Sequence, residues 1–157
     1  MKKYLLNFAA AAFIFPLHSA EVSLDNDAFV DAEKKVRHGS YQNFKTAVNN
    51  LDHPLKPYVE KTYWQRHPNI KYQAEIESYL TIYQHTPLEW PVREAWLKYL
   101  KRKNKKAAYI NNYRETSNTA LTCTYLDFQL DLGAPEKAIL NQVTDLWTVG
   151  KSQPAEC

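Results

Sequence analysis

The sequence predicts an all-α protein, a degenerate helical-repeat superhelix: an α-solenoid built as a right-handed stack of antiparallel helix pairs. Three observations lead there. Apolar residues recur at helical spacing in run after run from residue 25 onward, with no convincing strand alternation. Only three glycines occur in 157 residues, too few for a turn-rich β architecture. The runs are separated by short Pro- or Gly-bearing connections, which favour antiparallel neighbours stacked in chain order.

The first twenty residues differ from the rest. Lys2 and Lys3 form a charged start, Tyr4 to Leu17 is an uncharged and mostly apolar run, and His18-Ser19-Ala20 ends on a small residue. This is the pattern of a secretory signal peptide cleaved after Ala20. A retained anchor is the alternative, but the run is short of the roughly 20 apolar residues that a transmembrane helix needs. No cysteine lies near its end to take a lipid. Removing residues 1–20 takes away two lysines and no acidic residue, so the formal net charge falls from +3 to +1. A nearly neutral chain has no global attraction for nucleic acid or an anionic membrane. Residues 21–157 are expected to form one α-superhelical domain, large enough for a real core.

Residues 25–37 place Phe29, Ala32 and Val36 on one face, and Gly39 stands just past the end as a stop. Ser40 caps the next run, with Phe44, Ala47, Val48 and Leu51 at helical spacing. Pro54 and Pro57 interrupt it, and Pro57 suits the first turn of a third helix bearing Tyr58, Val59, Thr62 and Tyr63. His67-Pro68 ends that helix. A continuous helix is expected from Ile70 to Tyr83, with Tyr72, Ile76, Tyr79, Leu80 and Tyr83 on its stripe.

Pro87 and Pro91 open another helix, whose stripe is Val92, Ala95, Trp96, Tyr99 and Leu100. After a basic turn, a short helix runs through Ala107, Ile110 and Tyr113. Thr119 to Leu132 is apolar on two faces, Leu121, Tyr125, Phe128 and Leu132 on one and Cys123, Leu126 and Leu130 on the other. A helix of that kind sits between two layers. The last helix starts at Pro135, carries Ile139, Val143, Leu146 and Trp147, and stops at Gly150. Gly39-Ser40-Tyr41-Gln42-Asn43-Phe44 and Gly133-Ala134-Pro135-Glu136-Lys137-Ala138 both set a glycine between paired helices, as tetratricopeptide-type arrays do. The period is irregular, which makes the repeat degenerate.

The residues that could carry chemistry are few. The two cysteines, Cys123 and Cys157, suit a disulfide in an exported chain. Two buried or metal-binding thiols are the alternative, but no third and fourth ligand stands at zinc spacing. His18, His38, His53, His67 and His85 form no paired metal motif, and the last four lie near helix ends, where exposed or capping roles are expected. Glu75 and Glu77 lie two apart on a helix and face different ways. No nucleophile elbow and no glycine-rich phosphate loop occurs, and no cofactor is implied. Trp64, Trp90, Trp96 and Trp147 could stack on sugars, but helical core spacing explains them more simply. Lys98 to Lys106 holds six basic residues and no acidic one. Lys101, Arg102, Lys103, Lys105 and Lys106 could meet a polyanion beside Trp96 and Tyr99, against the plainer reading of a solvated helix end.

Leu146-Trp147 followed by Gly150-Lys151-Ser152-Gln153-Pro154-Ala155-Glu156-Cys157 resembles the amino-terminal superhelical domain of the soluble lytic murein transglycosylases. That family has a Leu-Trp, a Gly-Lys-Ser-Gln-Pro segment and a cysteine at this spacing, and an earlier cysteine where Cys123 sits. His53-Pro54-Leu55-Lys56-Pro57-Tyr58 is similar to the family's Pro-Leu-x-Pro-Tyr turn. The similarities spread over residues 27–157. The resemblance implies an α-superhelix that bends into a ring in the periplasm and carries a lysozyme-like domain beyond it. There, one Glu in a Glu-Ser motif, followed by a Gly-Leu-Met-Gln segment, protonates the bond between N-acetylmuramic acid and N-acetylglucosamine. The muramyl 6-hydroxyl then attacks to give a 1,6-anhydro product.

Glu77-Ser78 lies in a helix stripe and no Gly-Leu-Met-Gln follows it, so no catalytic residue is carried over. The expectation is a non-catalytic module cut off before the lysozyme-like domain, acting in the periplasm on peptidoglycan or a cell-wall protein, with no nucleic acid. The alternatives are a free-standing helical-repeat adaptor for a protein partner, and an enzyme whose site the sequence does not reveal.

Overall fold

The computed structural model describes residues 25–150 and 152–157, residue 145 in its backbone only. The expected signal peptide and its cleavage site after Ala20 lie outside the described residues. Eight α-helices and no strand occur among those described: α1 (Asn26–His38), α2 (Tyr41–Asn49), α3 (Lys56–Arg66), α4 (Gln73–Ile82), α5 (Glu89–Arg102), α6 (Lys106–Asn112), α7 (Thr119–Asp131) and α8 (Glu136–Trp147).

Helix boundaries follow local chemistry. The Asp25 side chain accepts from the Ala28 N–H at 2.9 Å, and the Ser40 hydroxyl accepts from the Asn43 N–H at 3.3 Å, each capping a first turn. Gly39 is required by space: a Cβ there would stand 2.3 Å from the Lys35 carbonyl oxygen. At the end of α7 the Ala134 N–H reaches the Gln129 carbonyl and the Gly133 N–H reaches that of Leu130, both at 2.9 Å, around a left-handed Gly133 with φ 92°. This Schellman arrangement closes the helix and aims the chain into α8. Asn104, with φ 51°, does the same for α5: Lys105 N–H to Leu100 and Asn104 N–H to Lys101, again at 2.9 Å.

The expected continuous helix from Ile70 to Tyr83 is divided. Ile70–Tyr72 is a 3₁₀ turn, and α4 proper begins at Gln73. The Asn69 side chain accepts from the Lys71 N–H at 3.0 Å and fixes the tighter start.

The odd helices pack in succession, α1 on α3, α3 on α5 and α5 on α7. The even helices attach to them: α2 to α1 and α3, α4 to α5, α6 to α5 and α7, and α8 to α7. Val36, Val59, Ile76, Val92, Trp96, Leu97, Leu100 and Tyr109 are fully buried along this assembly. Much of the core is aromatic. Phe44 stacks on Tyr63 with ring centroids 4.1 Å apart, and Trp64 meets Phe44 edge-on at 5.0 Å.

Two stripes differ from expectation. In α6 the buried residues are Tyr109 and Asn112 while Ala107 is exposed, because the Tyr109 hydroxyl donates to the Leu121 carbonyl at 2.9 Å and turns that face toward α7. In α7, Leu130 and Leu132 are exposed: α8 departs at Gly133 and covers only the earlier part of both stripes.

Trp96 has no exposed surface, so Trp96→Ala should cost about 3–5 kcal/mol of unfolding free energy by urea titration. A loss under about 1 kcal/mol would place Trp96 outside the cooperative core.

Candidate functional site

The closing segment folds back on the helices before it. Cys157 is disulfide-bonded to Cys123, which is buried on α7, with Cα atoms 5.1 Å apart at a sequence separation of 34. The Cys157 N–H donates to the Pro154 carbonyl at 2.9 Å, and the Gln153 side-chain amide donates to the Leu146 carbonyl. Glu156 reaches across to α5, where its carboxylate meets Lys101 Nζ at 2.8 Å. The segment thereby joins α5, α7 and α8.

The same ion pair draws on the basic cluster. Lys98 pairs with Glu94 at 2.8 Å, Lys106 pairs with Asp131 at 2.6 Å, and the Arg102 guanidinium lies 5.9 Å from the centre of the Tyr99 ring. Of the five candidate polyanion contacts, Lys101, Arg102 and Lys106 are engaged within the chain. Lys103 and Lys105 project exposed from the turn. Lys98, Lys101 and Lys106 thus face carboxylates, whereas Arg102, Lys103 and Lys105 have no ion pair among the described residues.

A polar node lies where α4, α5 and α6 meet, and sequence reasoning missed it. Arg93, 4 % exposed, extends Nε and Nη2 to the Glu89 carboxylate at 2.8 and 2.7 Å, and donates from Nη1 to the Asn112 carbonyl at 2.6 Å. The Asn112 amide donates to Glu77 at 2.7 Å and to the Ala108 carbonyl at 2.9 Å, while Gln73 donates to the same Glu77 oxygen at 2.8 Å. The second Glu89 oxygen accepts from the His85 N–H at 2.6 Å, where the backbone is left-handed at φ 63°. Burial pushes the Glu89 carboxyl up, but the His85 hydrogen bond and the Arg93 hydrogen bond and charge outweigh it and hold the group below its ordinary value of 4.5. Glu77 is therefore a packing acceptor, and its neighbour Ser78 lies exposed on α4. The legible sign was Glu89 four residues ahead of Arg93; nothing marked Asn112.

His53 departs from the expected exposed role. It is buried, stacks on Phe29 at 5.0 Å between ring centroids, and accepts the Leu55 N–H on Nδ1 at 3.1 Å. His67 is half-buried with Nε2 3.1 Å from the Arg37 carbonyl, and His38 and His85 are exposed. Trp64 and Trp96 belong to the core and Trp90 is half-buried, but Trp147 is 58 % exposed, although it lines a cavity with Cys123, Leu126 and Leu130 of α7. Glu75 accepts from the Tyr41 hydroxyl at 3.1 Å and Glu77 joins the node, so the two carboxylates do separate work. Among the described residues no group of three or more His, Cys, Asp or Glu could hold a metal ion, and no helix is long and apolar enough to cross a membrane.

No family model, no curated protein and no solved structure matches this chain. What the disulfide supports is an oxidising compartment.

Two outcomes follow. Arg93→Met, which leaves a buried carboxylate and carbonyl without their partner, should cost about 3–5 kcal/mol near neutral pH. Because Glu89 is held low, its contribution is complete above pH 4.5 and lost as pH falls through its folded-state value. The gap between wild type and variant in urea titrations should therefore narrow in acid; a constant gap would contradict the Glu89 assignment. Reducing the disulfide should lower stability by about 3–4 kcal/mol, the loop-closure value for this separation, while far-UV circular dichroism stays helical. An unchanged unfolding midpoint would show that the bond does not contribute to stability.

Proposed function

We propose that this chain is a non-catalytic, α-superhelical module of the kind that soluble lytic murein transglycosylases carry ahead of their lysozyme-like domain, and that it works in the periplasm against peptidoglycan. The observation that carries the reading is the closing segment. The stretch that resembles the family, Gly150 to Cys157, is the one bonded to α7 by Cys123 and tied to α5 by Glu156. The superhelix is supported by the succession α1–α3–α5–α7, in which each odd helix packs on the one two elements earlier. A role without bond cleavage fits a chain whose one Glu-Ser pair has its carboxylate occupied by Asn112 and Gln73.

A second reading, an adaptor for a protein partner, is favoured by apolar residues left uncovered around the α7–α8 pair. Leu132, Leu140, Trp147 and Val149 are each more than half exposed, and exposed apolar surface marks interaction sites.

Cosedimentation with purified peptidoglycan sacculi, with release products followed by mass spectrometry, tests the first reading. Binding with no 1,6-anhydro-muropeptide released is expected. Failure to cosediment would remove the cell-wall role, and anhydro products would overturn the non-catalytic assignment.

A further inference from the structure

A groove of about 370 Å³ runs between α2 and α4 with α3 as its floor. Its lining includes Lys45 of α2, Glu60 and Trp64 of α3, Glu75 and Tyr79 of α4, and Tyr83 just past the end of α4. Trp64 and Tyr79 are packed almost wholly into the core, Tyr83 is half-buried, and Ile82 stands 67 % exposed at the rim. The volume lies at the small end of ligand pockets, which run from about 300 to 1,000 Å³.

The polar groups are mixed in sign and incompletely used. Glu60 is half-buried and has no hydrogen bond or ion pair among the described residues. Burial pushes its carboxyl above the ordinary range, against the opposing charges of Lys56 and Lys45. Glu75 spends one oxygen on the Tyr41 hydroxyl and keeps its other acceptor positions. The Tyr83 hydroxyl has no partner among the described residues, and burial together with the Glu60 charge keeps it protonated, hence a donor.

Each simple ligand class leaves something unsatisfied in such a groove. A cation meets the lysines that already face Glu60, an anion meets Glu60 and Glu75, and an apolar group would seal Glu60 away unpaired at a cost. A ring with hydroxyls on its edge and C–H groups on its face suits every wall. Its hydroxyls donate to the two carboxylates and accept from Lys45 and Tyr83, while its apolar C–H groups lie against Ile82 at the rim.

We propose that the α2–α4 groove binds a neutral saccharide about two sugar rings long. This gives the cell-wall reading a ligand and rests on it only for the choice of an N-acetylated sugar as probe.

The test is an ¹H–¹⁵N correlation titration of the whole chain with N,N′-diacetylchitobiose and, separately, cellobiose at millimolar concentration. Shifts confined to residues of α2, α3 and α4 around the groove are expected, with Glu60→Gln and Tyr83→Phe each weakening binding at least about tenfold, the scale of a charge-assisted hydrogen bond. Both variants nearly conserve shape, and unchanged signals from α7 and α8 would certify their fold. Binding of either sugar at this site supports the groove. Binding of cellobiose alone would support the groove and count against the cell-wall reading. No shift with either sugar, shifts centred elsewhere, or affinity unaltered by both substitutions would overturn the proposal. Sacculi bound equally well by wild type and Glu60→Gln would remove the groove while leaving the cell-wall reading in place.

Discussion

Helix α5 carries Val92, Trp96, Leu97 and Leu100 with no exposed surface, and α3, α4, α6 and α7 all pack against it. Lys98 and Lys101 on that helix reach the surface, but burial on so many sides leaves a charged residue on its inner face no route to water. Arg93 is nonetheless there, 4 % exposed. An unpaired guanidinium in such surroundings would cost several kcal/mol, so Glu89 of the same helix pairs with it and α6 must dock where its Asn112 carbonyl accepts the remaining N–H. Asn112 in turn satisfies Glu77 of α4. One buried charge therefore fixes how three helices meet, and the aromatic contacts of α2 and α3 extend from that centre toward the chain's beginning.

The peripheral elements depend on it less. Helix α8 packs chiefly on α7 and leaves Leu140 and Trp147 exposed, so its apolar burial is the poorest among the longer helices. The disulfide and the Lys101–Glu156 pair compensate by tying the segment beyond α8 to α7 and α5. A covalent link is most useful where burial is least able to hold an element. The groove has another origin: the space between α2 and α4 beside α3 leaves the Glu60 carboxylate and the Tyr83 hydroxyl without hydrogen bonds among the described residues.

Helix positions were legible because helical periodicity, Ser40, Pro57 and Gly133 are local signals, and each works in the structure as its chemistry dictates. What periodicity could not supply was the side of a helix that receives a later neighbour. Tyr109, rather than Ala107, turns inward because α7 offers the Leu121 carbonyl; Trp147 stays 58 % exposed because the cavity it shares with α7 is left open. His53 looked like a helix-end residue, yet Phe29, twenty-four positions earlier, covers it. The polar node was half legible, since Glu89 and Arg93 share one helix, whereas Asn112 and Glu77 come together only in three dimensions. Glu60 carried no signal, because its interest lies in lacking a partner.

The central claim is that the assembly is organised from α5 outward, with α8 held mainly by the closing segment. Native-state hydrogen exchange resolved by residue tests it most directly. Amides from Val92 to Leu100 should exchange only through global unfolding, while those of α8 exchange through a lower-energy opening that reduction of the disulfide makes easier still. If α8 proved as protected as α5, or if α5 opened independently of α3 and α6, the account would be wrong.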